Sequence, residues 1–252
     1  MIDAHIHLDW YTEAEQRNLL KTSKVDGMIA VSSDLNSCNK VWQLHKKNPT
    51  VYPAFGWHPE QALPSDEEIV QIEELVHRKH NEIVAIGEVG LPYYMRQEDL
   101  NLDLQPYIEI LEVFMKLAGY YQLPIVLHAV YEDAKAVCDL LEKYNVKYAH
   151  FHWFKGDQTT MERMIANHYM ISITPDCLYE KEIKSIIEAY PLELLMTETD
   201  GPWPFEGPFA GQMTHPNMVK DVTLQIAKIK NLPPEKVDVH VTGNASRFFN
   251  LD

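Results

Sequence analysis

Two histidines one residue apart, His5 and His7, stand near the start of the chain in the sequence MIDAHIHL. In a β-strand the side chains of residues i and i+2 point to the same face, so this spacing predicts two imidazoles aimed at one point. Neutral imidazole binds zinc and other divalent ions, and two ligands from one rigid strand need little ordering when an ion arrives. The pair alone also fits one buried and one solvated histidine, so the metal interpretation depends on ligands elsewhere in the chain.

Further residues of metal-binding type each stand at the end of a later apolar segment. They are Glu88, His128, His152 and Asp200. A mixture of imidazole and carboxylate ligands suits zinc, manganese, iron and, less readily, magnesium. Random placement of twelve histidines would rarely give this arrangement, which therefore favours a shared metal site.

Eight apolar segments rich in β-branched residues alternate with helical segments of amphipathic pattern. The predicted strands are residues 1–8, 25–31, 50–57, 82–87, 125–128, 146–152, 169–174 and 192–197. Helices are predicted at residues 12–22, 33–47, 65–80, 102–121, 132–144, 159–167, 180–189, 219–231 and 234–249. The alternation is typical of a parallel sheet with helical crossovers. Eight units in 252 residues predict a single (β/α)8 TIM barrel domain spanning residues 1–252.

The alternative fold is an open, doubly wound sheet, but no Gly-x-Gly-x-x-Gly follows the first strand to support a dinucleotide site. In a barrel the carboxyl ends of the strands share one face, where active sites occur. The six candidate ligands would therefore converge there from strands one, four, five, six and eight. Residues 201–216, rich in Gly and Pro, are predicted to form a long loop over the barrel mouth.

Five motifs together resemble the TatD-like, metal-dependent hydrolases of the amidohydrolase superfamily. They are DAHIH at residues 3–7, GEVGL at 87–91, LPIVLH at 123–128, HWFKG at 152–156 and ETDGP at 198–202. The resemblance runs the whole chain. It implies a barrel, a site for one or two divalent metal ions, and hydrolysis; TatD itself is a deoxyribonuclease.

The resemblance also implies a role for each candidate ligand. His5, His7 and Asp200 would bind one ion. His128 and His152 would bind the second, and Glu88 would bridge the two. Two ions about 3.5–4 Å apart can lower the pKa of a water and stabilise charge on both reacting oxygens of a phosphoester. Asp200 and Glu88 are therefore the expected catalytic residues, with Asp200 placed to orient the water or accept its proton.

Two departures from the TatD-like pattern bear on the substrate. Pro92 follows Gly-Leu where such proteins usually carry Asp, and Val130 stands two residues beyond His128 where they often carry Arg. Loss of that Arg removes a bidentate phosphate contact, unless Lys155 or Arg96 replaces it. The departures weaken the nuclease prediction more than the hydrolase prediction.

His58, Trp203 and Lys155 are possible substrate contacts. His58 lies in a TatD-like Gly-x-His-Pro pattern, although a hydrogen bond that stabilises its loop explains it equally well. Four tryptophans just past predicted strand ends could stack a nucleobase or pack the loops. They are Trp10, Trp57, Trp153 and Trp203.

The other histidines have structural explanations. His150, two residues before His152, is expected to be a core or supporting histidine, and His215 a solvated loop residue. Surface positions are expected for His45, His77, His80, His168 and His240.

Charge and composition limit the partners of this chain. A net charge of −15 disfavours non-specific attraction to long nucleic acid, yet bound cations can reverse the local field of a site. No run of 18 apolar residues is present to span a membrane. The first strand begins at the first residue and leaves no room for a signal peptide. The three cysteines, Cys38, Cys138 and Cys177, lack a CxxC spacing and are expected to be reduced thiols. These features predict a cytoplasmic location.

We expect a divalent-metal-dependent hydrolase of phosphoester bonds, a TatD-like deoxyribonuclease that acts on DNA or on a small phosphoester. The alternative enzyme is an amidohydrolase-type hydrolase of a non-nucleic-acid ester, lactone or amide. A non-catalytic metal-binding barrel is the third possibility. No sequence feature indicates a membrane or an obligate protein partner.

Overall fold

Eight parallel strands form one sheet in the computed structural model, which describes residues 1–251. The strands are β1 (Ile2–Ile6), β2 (Gly27–Ala30), β3 (Val51–Phe55), β4 (Ala85–Gly90), β5 (Ile125–His128), β6 (Ala149–Phe151), β7 (Met170–Ile173) and β8 (Leu195–Thr197). Each strand pairs in parallel with the next. After β8 the chain returns to β1, where the Asp200 N–H donates to the His5 carbonyl at 3.0 Å and the His7 N–H to the Gly201 carbonyl at 2.8 Å. The sheet is thus a nearly closed TIM barrel, and the predicted fold is confirmed.

Helices follow the strands around the barrel. They are α1 (Glu13–Thr22), α2 (Leu35–Lys47), α3 (Asp66–Lys79), α4 (Tyr93–Glu98), α5 (Gln105–Tyr121), α6 (Glu132–Lys143), α7 (Gln158–Ala166), α8 (Lys181–Ala189), α9 (Val219–Lys230) and α10 (Pro234–Phe248). All except α4 match predicted helices to within a few residues. No helix within residues 1–251 is long and apolar enough to cross a membrane.

Polar side chains cap the N-terminal ends of the first three helices. The hydroxyl of Thr12 and the carboxylate of Glu15 form a reciprocal capping box at α1. Asp34 accepts the Ser37 N–H at 2.6 Å at the start of α2, and Ser65 begins α3 in the same manner. These caps satisfy N–H groups that the helices leave unpaired, and they fix short connections at the barrel mouth.

The strands are buried on both faces; only Tyr52 among the strand residues is partly exposed. One apolar layer lies between the strands and the surrounding helices and includes Phe55, Phe114 and Phe151. Burial on both faces explains why most strands are largely apolar segments, with Asp3 and His5 of β1 among the exceptions. Polar side chains inside the barrel therefore need specific partners.

Several predicted strand boundaries were wrong. Strand β1 ends at Ile6, so His7 follows the strand, and β6 begins at Ala149 instead of residue 146. Strand β4 ends at Gly90, so Glu88 lies within the strand and not after it. The pairing of β4 with β5 shifts between Ile86 and Val89, and such an irregularity redirects side chains in a way that strand periodicity does not reveal. Strand β8 begins at Leu195, because residues 192–194 form a 3-10 turn.

Helix α4 lies in a region for which no helix was predicted. The N–H groups of Tyr94 and Met95 donate to the Glu60 carboxylate at 2.8 Å each. Glu60 belongs to the loop after β3, so the first turn of α4 is capped by a distant residue and carries no local capping pattern. The predicted long loop at residues 201–216 is present and contains one short 3-10 turn at Gly207–Phe209, with a second beginning at Pro216.

Candidate metal centre

Glu88 lies at the centre of the predicted ligand set, and one of its oxygens faces the histidines of β1. Glu88 Oε2 is 3.2 Å from His5 Nε2 and 3.1 Å from His7 Nε2. Asp200 Oδ1 is 3.4 Å from His5 Nε2 and 3.5 Å from His7 Nε2. Two imidazole nitrogens and two carboxylate oxygens therefore lie close together.

The other oxygen of Glu88 faces a second set of donors. Glu88 Oε1 is 3.0 Å from His128 Nδ1 and 2.8 Å from His152 Nε2. These two nitrogens are 3.2 Å apart. Glu88 therefore lies between two groups of donors, and the structure brings together all six predicted ligands.

His58 lies beside the same carboxylate. Its Nε2 is 3.4 Å from Glu88 Oε1, and its Nδ1 accepts the Glu60 N–H at 3.1 Å. The loop-stabilising hydrogen bond expected from the sequence is present. His58 also belongs to a group, with His7 and Glu88, whose donor atoms lie within 4.8 Å of one another.

The backbone around Asp200 is held in an uncommon conformation. Asp200 has φ of 48°, in the left-handed region that non-glycine residues seldom adopt. Its N–H donates to the His5 carbonyl, and its own carbonyl accepts the Trp203 N–H at 3.0 Å. These bonds join the end of β8 to β1 and place the carboxylate of Asp200 against the His-x-His pair.

Charges of opposite sign shift the pKa values in this centre. Burial raises the pKa of Glu88, but His152, His58 and His5 outweigh that effect and hold it well below its usual range. Burial and His152 favour the neutral form of His5, yet Glu88 and Asp200 outweigh them and raise its pKa to about 9. The pKa of Asp200 is lowered, because His5 overcomes the effect of burial. The carboxylates thus stabilise the protonated form of His5, and a divalent ion would have to displace that proton.

Several buried donor atoms have no hydrogen-bond partner among residues 1–251. They include both ring nitrogens of His5, Nδ1 of His7, Oε2 of Glu88 and Oδ1 of Asp200. An unpaired buried polar group costs about 1–3 kcal/mol, so such groups are rare without a ligand. The donor atoms around Glu88 are 2.8–3.5 Å apart, and ligands at about 2.0–2.1 Å from a tetrahedral zinc would be about 3.3–3.4 Å apart. The residues present therefore fit divalent ions at both oxygens of Glu88.

Two further carboxylates, which were not predicted from the sequence, lie beside the histidines of the second group. Glu60 Oε1 lies 3.1 Å from His128 Nε2. Glu198 Oε1 lies 3.7 Å from His152 Nδ1 and accepts the Trp153 N–H at 2.7 Å. Glu198 directly follows the end of β8 at Thr197, and this position in the ETDGP motif could have identified it. Glu60 carries no such signal.

A third buried carboxylate stands on β1. Asp3 accepts both the N–H and the hydroxyl of Thr199, at 2.9 and 2.6 Å. Burial raises its pKa to about 7, although the hydrogen bonds to Thr199 act in the opposite direction. Asp3 links β1 to the segment that carries Asp200, so it helps to set the distance between His5 and Asp200.

The possible substrate contacts occupy the rim. Trp203 is 53% exposed, and its ring lies 5.7 Å from that of Trp153. Lys155 Nζ is 5.0 Å from the centre of the Trp153 ring. Trp10 stacks on His7 with 3.9 Å between the ring centres. These contacts provide exposed aromatic surface and one cation beside the centre.

The remaining candidates near the rim are used within the protein. Trp57 is buried and packs against Tyr107. Arg96 forms an ion pair with the buried carboxylate of Asp133, and Val130 is buried. Arg96 therefore has an internal partner and is not free to replace the Arg that related proteins often carry two residues after the fifth-strand His.

Two histidines outside the centre have defined partners. His150 Nε2 lies 2.5 Å from the Ser172 hydroxyl, which donates to Glu198 at 2.6 Å. Burial holds the pKa of His150 well below its usual value, so it is a neutral supporting residue, in agreement with the prediction. His215 was expected to be solvated, but its Nδ1 accepts the Asn217 N–H at 3.1 Å and its Nε2 lies 2.9 Å from the Thr22 hydroxyl.

The barrel and its buried His, Glu and Asp cluster define a metal-dependent hydrolase as the class of protein. Within that class, the family model described as TatD related DNase matches residues 2–250. The chain therefore belongs to the TatD-related DNase family, as its motifs predict.

Two relatives agree with this membership, and a solved structure shares the fold. An uncharacterized metal-dependent hydrolase of Haemophilus influenzae is 38% identical over 252 residues, covering 100% of both chains. One of Methanocaldococcus jannaschii is 30% identical over 261 residues, covering 98% of this chain and 96% of its own. The crystal structure of the TatD homologue YjjV from Escherichia coli superposes with a TM-score of 0.88 at 23% identity, covering 100% of this chain and 98% of that one. A human relative called deoxyribonuclease TATDN3 is 25% identical over 261 residues, covering 99% of this chain and 94% of its own.

Proposed function

We propose that this chain hydrolyses phosphoester bonds with two divalent ions and that it acts on DNA ends. One observation carries the proposal: the two oxygens of Glu88 face separate groups of imidazole and carboxylate donors. His5, His7 and Asp200 would hold the first ion. His128 and His152 would hold the second, and Glu88 would bridge both.

When bound, two such ions would lower the pKa of an attacking water and neutralise charge on the attacking and leaving oxygens of a phosphoester. Asp200 would act as the general base of the reaction. Its pKa lies below the usual range, so its carboxylate is ionised at neutral pH. Its Oδ1 faces His5 and His7 and would hold the first ion, and the carboxylate would also orient the attacking water and accept its proton.

The DNA assignment is supported by the family and by the rim. The TatD-related DNase model covers nearly the whole chain, and the human relative is called a deoxyribonuclease. Trp203 and Trp153 offer surfaces on which a terminal base can stack, a contact worth about 1–3 kcal/mol per base. Lys155 lies over the Trp153 ring. The match over residues 2–250 also supports a single barrel domain for the chain.

The test is hydrolysis of a single-stranded oligonucleotide by the purified protein with magnesium, manganese, cobalt or zinc. His5→Ala and Asp200→Ala variants are compared with the parent at equal protein concentration. We expect shortening of the oligonucleotide by the parent and loss of that activity in both variants. Equal activity in all three proteins would exclude the proposal.

A second candidate is hydrolysis of a non-nucleic-acid ester, lactone or amide. The observation in its favour is the lack of an arginine for a phosphate group. Arg96 is paired with Asp133, and Val130 is buried where related proteins often carry Arg. A panel of small phosphate esters, lactones and acyl amides separates the two candidates. Turnover of oligonucleotides alone would exclude the second, and turnover of any substrate would exclude a purely non-catalytic barrel.

A further inference from the structure

A groove between α1 and α2 combines a large volume with a concentration of basic side chains. Its volume is about 930 Å³, and its lining includes Arg17 and Lys21 from α1 and Lys40 and Lys47 from α2. Two carboxylates, Asp9 and Glu13, also line it. The groove is therefore locally basic, although the chain as a whole has a net charge of −15.

The basic side chains are arranged by helix periodicity. Residues 17 and 21 lie one turn apart on α1, and residues 40 and 47 lie two turns apart on α2, so each pair occupies one helix face. Leu20 and Leu44 also line the groove and pack against the apolar cluster beneath it. The two helices thus present parallel rows of cations above an apolar floor.

Most of these cations lack an internal partner. Arg17 lies 3.4 Å from Glu13, but Lys21, Lys40 and Lys47 form no ion pair within residues 1–251. All three lysines are exposed. Unpaired cations that share a groove favour a ligand with several negative charges over a single anion.

One end of the groove lies near the loop over the barrel mouth. Asp9 and Tyr11, which line it, follow the proposed ligand His7 by two and four residues. The hydroxyl of Tyr11 donates to the Thr214 carbonyl in the mouth loop at 2.9 Å. From Lys40 to Lys47 the row of cations on α2 is about 10 Å long at 1.5 Å per residue. The separation of the two lysines along α2 is therefore longer than the rise of about 3.4 Å per nucleotide of one strand.

We propose that the groove between α1 and α2 binds the phosphate backbone of a single-stranded nucleic acid whose end lies at the metal centre. Tyr11 is the only aromatic side chain among its lining residues, whereas the amides of Gln16 and Gln43 also line it. Lys, Arg and Gln side chains contact phosphates without reading sequence. This inference rests on the proposed function and narrows its substrate to a strand at least several nucleotides long.

The test is binding of fluorescein-labelled, phosphorothioate-linked single strands of two and twelve nucleotides to the intact protein, measured by fluorescence polarisation. The groove variant is Lys40→Glu with Lys47→Glu. Its control is Lys220→Glu with Lys228→Glu on α9, where both lysines are exposed and the change in net charge is identical. Thermal unfolding of each variant shows that it is folded.

We expect the parent and the α9 variant to bind twelve nucleotides more tightly than two. The groove variant should bind the longer strand about tenfold more weakly and with a shallower dependence on salt, while its affinity for two nucleotides stays unchanged. Equal binding by the two variants, or equal affinity of the parent for both lengths, would overturn the inference. Competition by polyglutamate as strong as that by DNA would overturn the assignment to phosphate.

These outcomes are distinct from those of the proposed hydrolysis. Length-dependent, groove-dependent binding without any cleavage would contradict the hydrolysis and leave the groove assignment intact. Cleavage of DNA with no effect of the groove substitutions would contradict the groove assignment alone.

Discussion

The carboxylate of Glu60 lies 3.1 Å from Nε2 of His128, on the side of the ring opposite to the Nδ1 that faces Glu88. A carboxylate in this position accepts a hydrogen bond from the Nε2–H group and leaves the lone pair on Nδ1 free for an ion. The same carboxylate accepts the N–H groups of Tyr94 and Met95. Glu60 therefore fixes the tautomer and orientation of His128 from the loop after β3, while it also caps the first turn of α4.

Replacing Glu60 with Gln is expected to weaken the second metal ion selectively. Loss of a carboxylate that supports a histidine ligand typically costs 10–100-fold in metal affinity. Cobalt titration followed by visible absorbance should show weaker binding of the second ion, with the first unchanged. Glu132→Gln, which removes an exposed carboxylate nearby, is the matched control. Equal weakening of both ions would indicate a merely structural role for Glu60.

The main ligands could be predicted because each depends on local geometry. His5 lies in β1, and His7 follows the strand end at Ile6 yet faces the same two carboxylates, while His128 ends an apolar segment whose bounds the structure reproduces as Ile125–His128. Glu60 could not be predicted, since its partners Tyr94 and His128 lie 34 and 68 residues away. Local patterns locate strand ends, whereas the carboxylates that orient ligands come from loops that meet only in the folded barrel.

Metal binding is expected to release protons at neutral pH. Glu88 and Asp200 raise the pKa of His5 to about 9, against burial and His152, so His5 is protonated in the metal-free protein at pH 7.5. An ion that binds Nε2 must displace that proton. Titration calorimetry with zinc in buffers of different ionisation enthalpy should show release of at least one proton per chain. The affinity should therefore fall as the pH is lowered from 9 to 6; a pH-independent affinity would contradict this prediction.

Replacing Arg96 with Met is expected to reduce stability in a pH-dependent manner. Burial raises the pKa of Asp133 from 3.8 to about 6, and Arg96 opposes that rise. The contribution of Asp133 to stability is fully present below pH 3.8 and is lost as the pH rises through about 6. Without the guanidinium the ionised carboxylate is buried unpaired, so the variant should lose about 2 kcal/mol of unfolding free energy at pH 8 and less at pH 5.

Urea denaturation at both pH values measures the effect of the Arg96 substitution. Lys143→Met, which breaks an exposed pair with Glu112, is the control and should change little at either pH. If the Arg96 variant instead keeps its stability but shows a raised KM for DNA, Arg96 contacts substrate and the structural role is wrong.

Asp200→Asn is expected to remove most of the activity while leaving the barrel folded. The amide keeps the size of the side chain, but it accepts no proton from an attacking water, and general-base catalysis contributes about 10²–10⁴-fold to a rate. The backbone bonds that Asp200 makes to His5 and Trp203 do not involve the side chain, so the unfolding temperature of the metal-free variant should be close to that of the parent. The measurement is kcat on a single-stranded oligonucleotide at saturating metal, with Asp99→Asn, just after α4, as the control. A kcat within twofold of the parent would show that another group accepts the proton, and Glu88 would be the next residue to replace.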